Sequence, residues 1–173
     1  INEQIDRMRH SATRALLERN DTVVVASVSC IYGIGSVESY SSMTFKIQKD
    51  KDFEMDLIKK KLIELQYRRN DAVHVRGTFR NRGDFLEIFP SHLEDKSWRV
   101  SFFGDKVESI DEFDPFLGTI TKSLDEIIIF ANSHYVTPKP SLKIAIDQIR
   151  EELRDRISFF ESNNLLIEAQ RIE

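Results

Sequence analysis

Apolar positions along this chain change their period three times, and each change predicts a different kind of element. Ile5, Met8, Ala12, Ala15 and Leu16 recur three and four residues apart, which predicts an amphipathic helix over residues 2–19, ended by Asn20-Asp21. "TVVVASVSCIYG" at 22–33 follows as an almost unbroken β-branched run, the pattern of a strand covered on both faces in a parallel sheet. A helix followed by a buried strand points to α/β architecture. After a glycine-marked turn at Gly33 and Gly35 the period drops to two: Met43, Phe45 and Ile47 alternate with Thr44, Lys46 and Gln48, a half-exposed strand. Leu57, Ile58, Leu62 and Leu65 then return to helical spacing.

A meander is expected next. "VHVRGTFRNR" turns at Gly83-Asp84 into "FLEIF", and "WRVSFF" turns at Gly104-Asp105 into "KVESI", two alternating pairs joined by hairpin dipeptides. From "HYVTP" the spacing is helical again. Pro138 and Pro140 stand where a helix begins, the stripe is Leu142, Ala145, Ile149, Leu153, Ile157 and Phe160, and Asn163-Asn164 breaks it before "LLIEAQRIE". The expected organisation is an α/β domain interrupted by an α+β insert built on an antiparallel sheet meander.

Composition narrows the class. With 173 residues, 40% hydrophobic and 12 Phe, the chain can bury about 70% of its unfolded surface. A net charge of -4 argues against general coating of nucleic acid. One cysteine excludes a disulfide framework or a cysteine-rich zinc site and fits a reducing, cytoplasmic compartment. No run approaches the roughly 18 apolar residues of a membrane helix, so no membrane partner is expected. The sequence opens on Ile and stops inside a helical pattern, which suggests an internal piece of a longer protein.

Charge is unevenly placed. Residues 59–82 carry eight bases and two acids, whereas residues 84–126 carry eleven acids and four bases. That polarity favours a charge-complementary partner. Catalytic chemistry is absent by pattern: there is no G-x-x-x-x-G-K-[ST] loop, and "GIGS" at 33–36 reads as a turn. His10, His74, His92 and His134 lack ligand spacing, so no metal site is expected. Cys30 reads as a small core residue, and Ser27 and Ser29 lie on the apolar run without a nucleophile elbow. No catalytic residue and no cofactor are expected in this chain.

Arginines are the remaining feature. Arg80 and Arg82, two apart on a strand, point the same way, and Arg99 joins them if the strands share a sheet. Either they keep an exposed sheet face soluble and unpaired, or they meet a carboxylate- or phosphate-bearing partner.

"INEQIDRMRHSATRALLERNDTVVVASVSCIYGIG", "LQYRRND", "RGTFRNRGDFLEIFP", "FFGDKVESIDEFDPFLG", "HYVTP" and "LLIEAQRIE" in this order resemble the UvrB family, the damage-verifying, helicase-like subunit of the bacterial UvrABC excinuclease, over essentially the whole chain. The resemblance implies helicase-like segments at 1–42 and 132–173 flanking a UvrA-interaction domain at 43–131. It implies UvrA contact through Arg69, Arg80, Arg82 and Arg99, and DNA contact through Arg9, Ser27 and Ser29. It also implies ATP and Mg as cofactors of the parent, with damaged DNA and UvrC as the parent's further partners in nucleotide excision repair. The chain departs from the family pattern at Ser101, where an acidic residue is usual, and at Lys49-Asp50, where the family has a Val-Gly turn. Two alternatives stand beside this. The transcription-repair coupling factor shares the "RGD...IFP" and "FFGD" stretches, although "SVSCIYG" and "LLIEAQRIE" favour UvrB, and the arginine patch also suits a stand-alone nucleic-acid module.

Overall fold

The computed structural model describes residues 2–31, 40–41, 43–134 and 139–173; the expected turn at Gly33 and Gly35 and most of "HYVTP", with Pro138, lie outside the described residues. The chain divides into two compact units, Ile1–Val136 and Thr137–Glu173. The first helix therefore belongs with the insert, and the division falls a few residues beyond the expected boundary at Ala131.

In the first unit, helix α1 spans Glu3–Glu18. Asn2 begins it because its side-chain oxygen accepts from the backbone N–H groups of Gln4 and Ile5, two donors a helix start otherwise leaves unpaired. The expected buried strand after it does not form. Val23 and Val25 are about nine-tenths exposed, and residues 28–31 make a single 3₁₀ turn. The reason is the absence of neighbours: a doubly covered strand needs a sheet on both edges, and no strand among the described residues pairs with it.

The predicted half-exposed strand is β1, Thr44–Gln48, which pairs antiparallel with β8, Glu126–Phe130. Between them Asp50 takes a left-handed φ of 62°, a conformation that Asp tolerates, so the Lys49-Asp50 turn keeps a shape glycine would take readily. Helix α2, Met55–Glu64, buries Ile58 and Leu62 as its spacing predicts, while Leu57 faces water.

A six-stranded sheet follows: β2 (Arg68–Arg69), β3 (Thr78–Arg82), β4 (Phe85–Ile88), β5 (Ser97–Phe103), β6 (Lys106–Phe113) and β7 (Ile120–Leu124). The strands lie in chain order, antiparallel except for the parallel β2–β3 pair. Gly83 and Gly104 each take a positive φ at the first position of a two-residue hairpin turn, as the Gly-Asp dipeptides predict. One face buries Phe79, Leu86, Ile88, Trp98, Val100 and Ile110. These pack with Ile58 and Leu62 of α2 and with Ile47, Ile127 and Ile129 of the small sheet into one core.

The second unit is helical: α3, Lys139–Ser162, then α4, Leu166–Ile172. Asn164, at φ 61°, breaks the two as expected. Of the predicted stripe, Ala145, Leu153, Ile157 and Phe160 are half-buried, while Leu142 and Ile149 are exposed.

Candidate functional site

Strand alternation sends the non-core side chains of the large sheet to one polar face, and the register puts them side by side. Arg80 stands opposite Glu87, Glu87 opposite Arg99, and Arg99 opposite Asp111. Arg82 stands opposite Phe85 on the same face. The expectation that Arg80, Arg82 and Arg99 share a side therefore holds. Arg69 does not join them, because it aligns with core-facing Phe79 and lies on the other alternation.

Glu87 is the organising residue, and composition gave no sign of it. Its carboxylate is only 3% exposed. One oxygen accepts from Arg80 Nε at 2.5 Å, and the other accepts from Arg99 Nε at 2.9 Å and Nη2 at 2.7 Å. Burial works to raise the Glu87 pKa, but the hydrogen bonds and charges of Arg80 and Arg99 outweigh it and hold the carboxyl below its ordinary value. Arg99 also lies 4.6 Å from the centre of the Phe113 ring and 5.8 Å from that of Phe85. His74 stacks on the other side of the cluster against Phe113 and shares a hydrogen bond with Ser97 at 2.9 Å. Its pKa is lowered to about 4, first by burial and then by the Arg80 charge.

Two of the four arginines are thus internally partnered by a buried acid. Arg69 is paired as well, to Asp71 at 3.0 Å, with both side chains about half exposed. Arg82 is exposed and has no hydrogen-bond or ion-pair partner among the described residues. Ser101, opposite Phe85, is buried, and Asp111 next to Arg99 accepts from Ser109 and Ser123. Alternation within single strands revealed Arg80 and Arg82. Only pairing between strands brings Glu87 to them, and register is not readable from composition.

The residues expected to meet DNA lie elsewhere in the first unit. Arg9 is half-buried, and its Nε and Nη2 have no partner among the described residues. It shares a groove of about 530 Å³ with Ser27, lined by Ile5, Met8, Leu16 and Val28. Ser27 and Ser29 are exposed, their hydroxyls 2.5 Å apart. They lie on the irregular segment instead of the expected strand, and Cys30 beside them is half-buried instead of core.

The histidines are less scattered than their spacing suggests. His10 and His134 stack with ring centres 4.1 Å apart, and Tyr40 stacks on His134. Asp6, His10 and His134 place candidate ligand atoms within 4.8 Å of one another. The stacked imidazoles, however, turn faces and not lone pairs toward each other, and both Arg76 amino groups already donate to Asp6 at 3.1 Å. Together with the Arg7–Glu94 ion pair, the Arg14–His92 contact and the Arg76 bond to the Ser91 carbonyl, the cluster forms the joint that fastens α1 to the sheet.

Comparison with known proteins now decides the family. The model of the UvrB interaction domain matches residues 45–135, and that of the UvrB third helical domain matches residues 140–173. The chain belongs to the UvrB family. It is 50% identical over its full length to UvrABC system protein B of Syntrophotalea carbinolica. It is 51% identical over 99% of its length to the protein of that name from Anaplasma phagocytophilum, and 52% to that from Anaplasma marginale. The chain spans about a quarter (26%) of the length of these curated relatives. The interaction-domain match covers β1 to β8 and so contains the polar face in full, and the family assignment favours UvrB over the coupling factor. The second match coincides with the helical unit, whereas the resemblance alone implies a return to the helicase-like core at 132–173.

Proposed function

We propose that the chain is the UvrA-docking portion of a nucleotide excision repair protein, and that the polar sheet face is the docking surface. The observation that carries this reading is the gathering of Arg80, Arg82 and Arg99 on one face inside the segment matching the UvrB interaction domain. Arg82, exposed and unpaired, is the group with donors to offer an acidic neighbour; Arg80 and Arg99 shape the surface around it. Arg69, on the opposite alternation, contributes at most from the sheet edge.

The wider roles follow the family. The parent is an ATP- and Mg-dependent, helicase-like component of the excinuclease that acts on damaged DNA in the cytoplasm and passes it to UvrC. Arg9, with unpartnered buried donors, Ser27 and Ser29 are its DNA-facing residues in this chain.

The test is a calorimetric titration of UvrA with the chain and with Arg82→Ala. An interface arginine typically contributes about 2 kcal/mol or more, so Arg82→Ala is expected to weaken binding at least tenfold. Equal affinity of the two rejects the assignment.

A further inference from the structure

An arginine face without aromatic residues fits few tight interfaces, and sequence reading placed no aromatic residue on this one. The structure places two exposed ones there, beside the buried Phe113. Phe85 stands opposite Arg82 and is 45% exposed, with the Arg99 guanidinium over its ring. Ser101 faces Phe85 across β4 and β5, and Phe103, two residues further along β5, returns to the same side at 81% exposure. Phe102 between them enters the core, which fixes the alternation. The irregular pairing with β6 does not disturb it, because the extra residue there is Glu108 on β6.

We propose that Phe85 and Phe103 are the apolar anchors of the docking face, with Arg82 directly across from Phe85 on β3, and that their occupant is a protein surface combining an apolar recess with carboxylates. The inference rests on the docking reading above and adds to it the residues that supply most of the affinity. Interfaces concentrate their binding energy in a few aromatic and arginine side chains surrounded by weaker contacts. Large exposed aromatic side chains held on a two-hairpin scaffold lose little freedom when covered. The Gly83-Asp84 and Gly104-Asp105 turns hold both rings on paired strands.

Charge decides between a protein and a nucleic-acid occupant. Arginine beside exposed aromatics also suits single-stranded nucleic acid, whose bases stack on such rings. Here, however, Arg80 and Arg99 are already matched by Glu87, Asp84 and Asp105 occupy the two turns, Glu108 bulges beside them, and Asp111 stands opposite Arg99. A near-neutral patch releases few counterions from a phosphate backbone, whereas it does not repel a mixed apolar and acidic protein surface.

The experiment titrates UvrA with the full 173-residue chain, with Phe103→Ala, Phe85→Ala and Arg82→Ala, and with Phe116→Ala as control. Phe116 is 86% exposed, at the opposite end of β6. Phe103→Ala and Phe85→Ala are expected to weaken UvrA binding at least tenfold at both low and high salt. The Arg82→Ala loss should shrink as salt rises, and Phe116→Ala should stay within twofold of wild type. Circular dichroism of each variant checks folding, and at these exposures no change is expected. If wild type binds UvrA and both phenylalanine variants bind within twofold, the anchors are wrong and the docking reading stands. If wild type does not bind UvrA, both fall. If the variants lose single-stranded DNA binding while retaining UvrA, the occupant is nucleic acid and the proposal is overturned.

Discussion

Arg99 donates from Nε and Nη2 to a single oxygen of Glu87, while Arg80 holds the other oxygen from the neighbouring strand on the far side. The three residues are register partners across β3, β4 and β5, so the sheet itself fixes the bridge. Removing one member of a buried ion pair leaves the others charged and desolvated. Glu87→Ala is therefore expected to destabilise the fold by about 3 kcal/mol, read as a lowered urea midpoint at unchanged slope. Glu87→Gln keeps an acceptor and should lose less. Equal midpoints for wild type and Glu87→Ala would show the bridge to be ornamental.

The same bridge separates two arginines that sequence reading placed together. Arg69 and its partner Asp71 are both about half exposed, and such pairs contribute little, so Arg69→Ala should change stability by no more than about 0.5 kcal/mol. Arg80 is 11% exposed and bonded to a buried acid; Arg80→Ala is expected to cost about 2 kcal/mol. Chemical denaturation of the two variants side by side measures the difference. An affinity loss in Arg80→Ala thus mixes folding with contact, which is why Arg82 and the exposed phenylalanines are the cleaner probes of docking.

Much of the fold was legible because it is local. The period-two runs at 44–48 and 78–113, the Gly-Asp turns and the Asn163-Asn164 break all correspond to observed elements. The run at 22–33 misled because its apolar, β-branched character describes an environment that no strand among the described residues supplies. The site was half legible. Spacing alone shows that Arg80 and Arg82 point together, but Glu87, His74, Phe85 and Phe103 become their neighbours only through pairing between strands.

Gly77 makes the contrast between backbone strain and steric conflict measurable. Its φ is 76°, and a Cβ there would lie 2.5 Å from both terminal atoms of Asn132, whose Nδ2 donates to the Gln66 carbonyl. Gly83, at φ 59°, has nothing within 4 Å of the same position. Gly83→Ala meets only the left-handed penalty, about 1 kcal/mol. Gly77→Ala adds displacement of a bonded side chain and should lose at least twice as much. Thermal melts of both test this, with Gly77→Ala expected to melt lower.

Acid should weaken the joint between α1 and the sheet before it titrates most carboxylates. His10 is pushed from the ordinary 6.5 to about 4, first by burial and then by His134, and His92 to about 3, first by burial and then by the Arg14 charge. His74, on the polar face, falls to about 4. These folded-state values lie below the unfolded one, so between about pH 6.5 and 4 the unfolded chain binds protons that the folded chain refuses. Stability is full above pH 6.5 and falls as the pH drops through that window, by about 1.4 kcal/mol per pH unit for each histidine fully engaged. Glu87 acts in the same direction at lower pH, since its depressed pKa contributes stability above the ordinary carboxylate range that is lost as the carboxyl protonates. Urea midpoints measured between pH 7.5 and 5 isolate the histidines, including His134, whose pKa burial also lowers, and His92→Gln should flatten the profile by about a quarter. A flat wild-type profile over that range would mean that the imidazoles protonate freely in the folded chain and that the stacked joint does not exclude water.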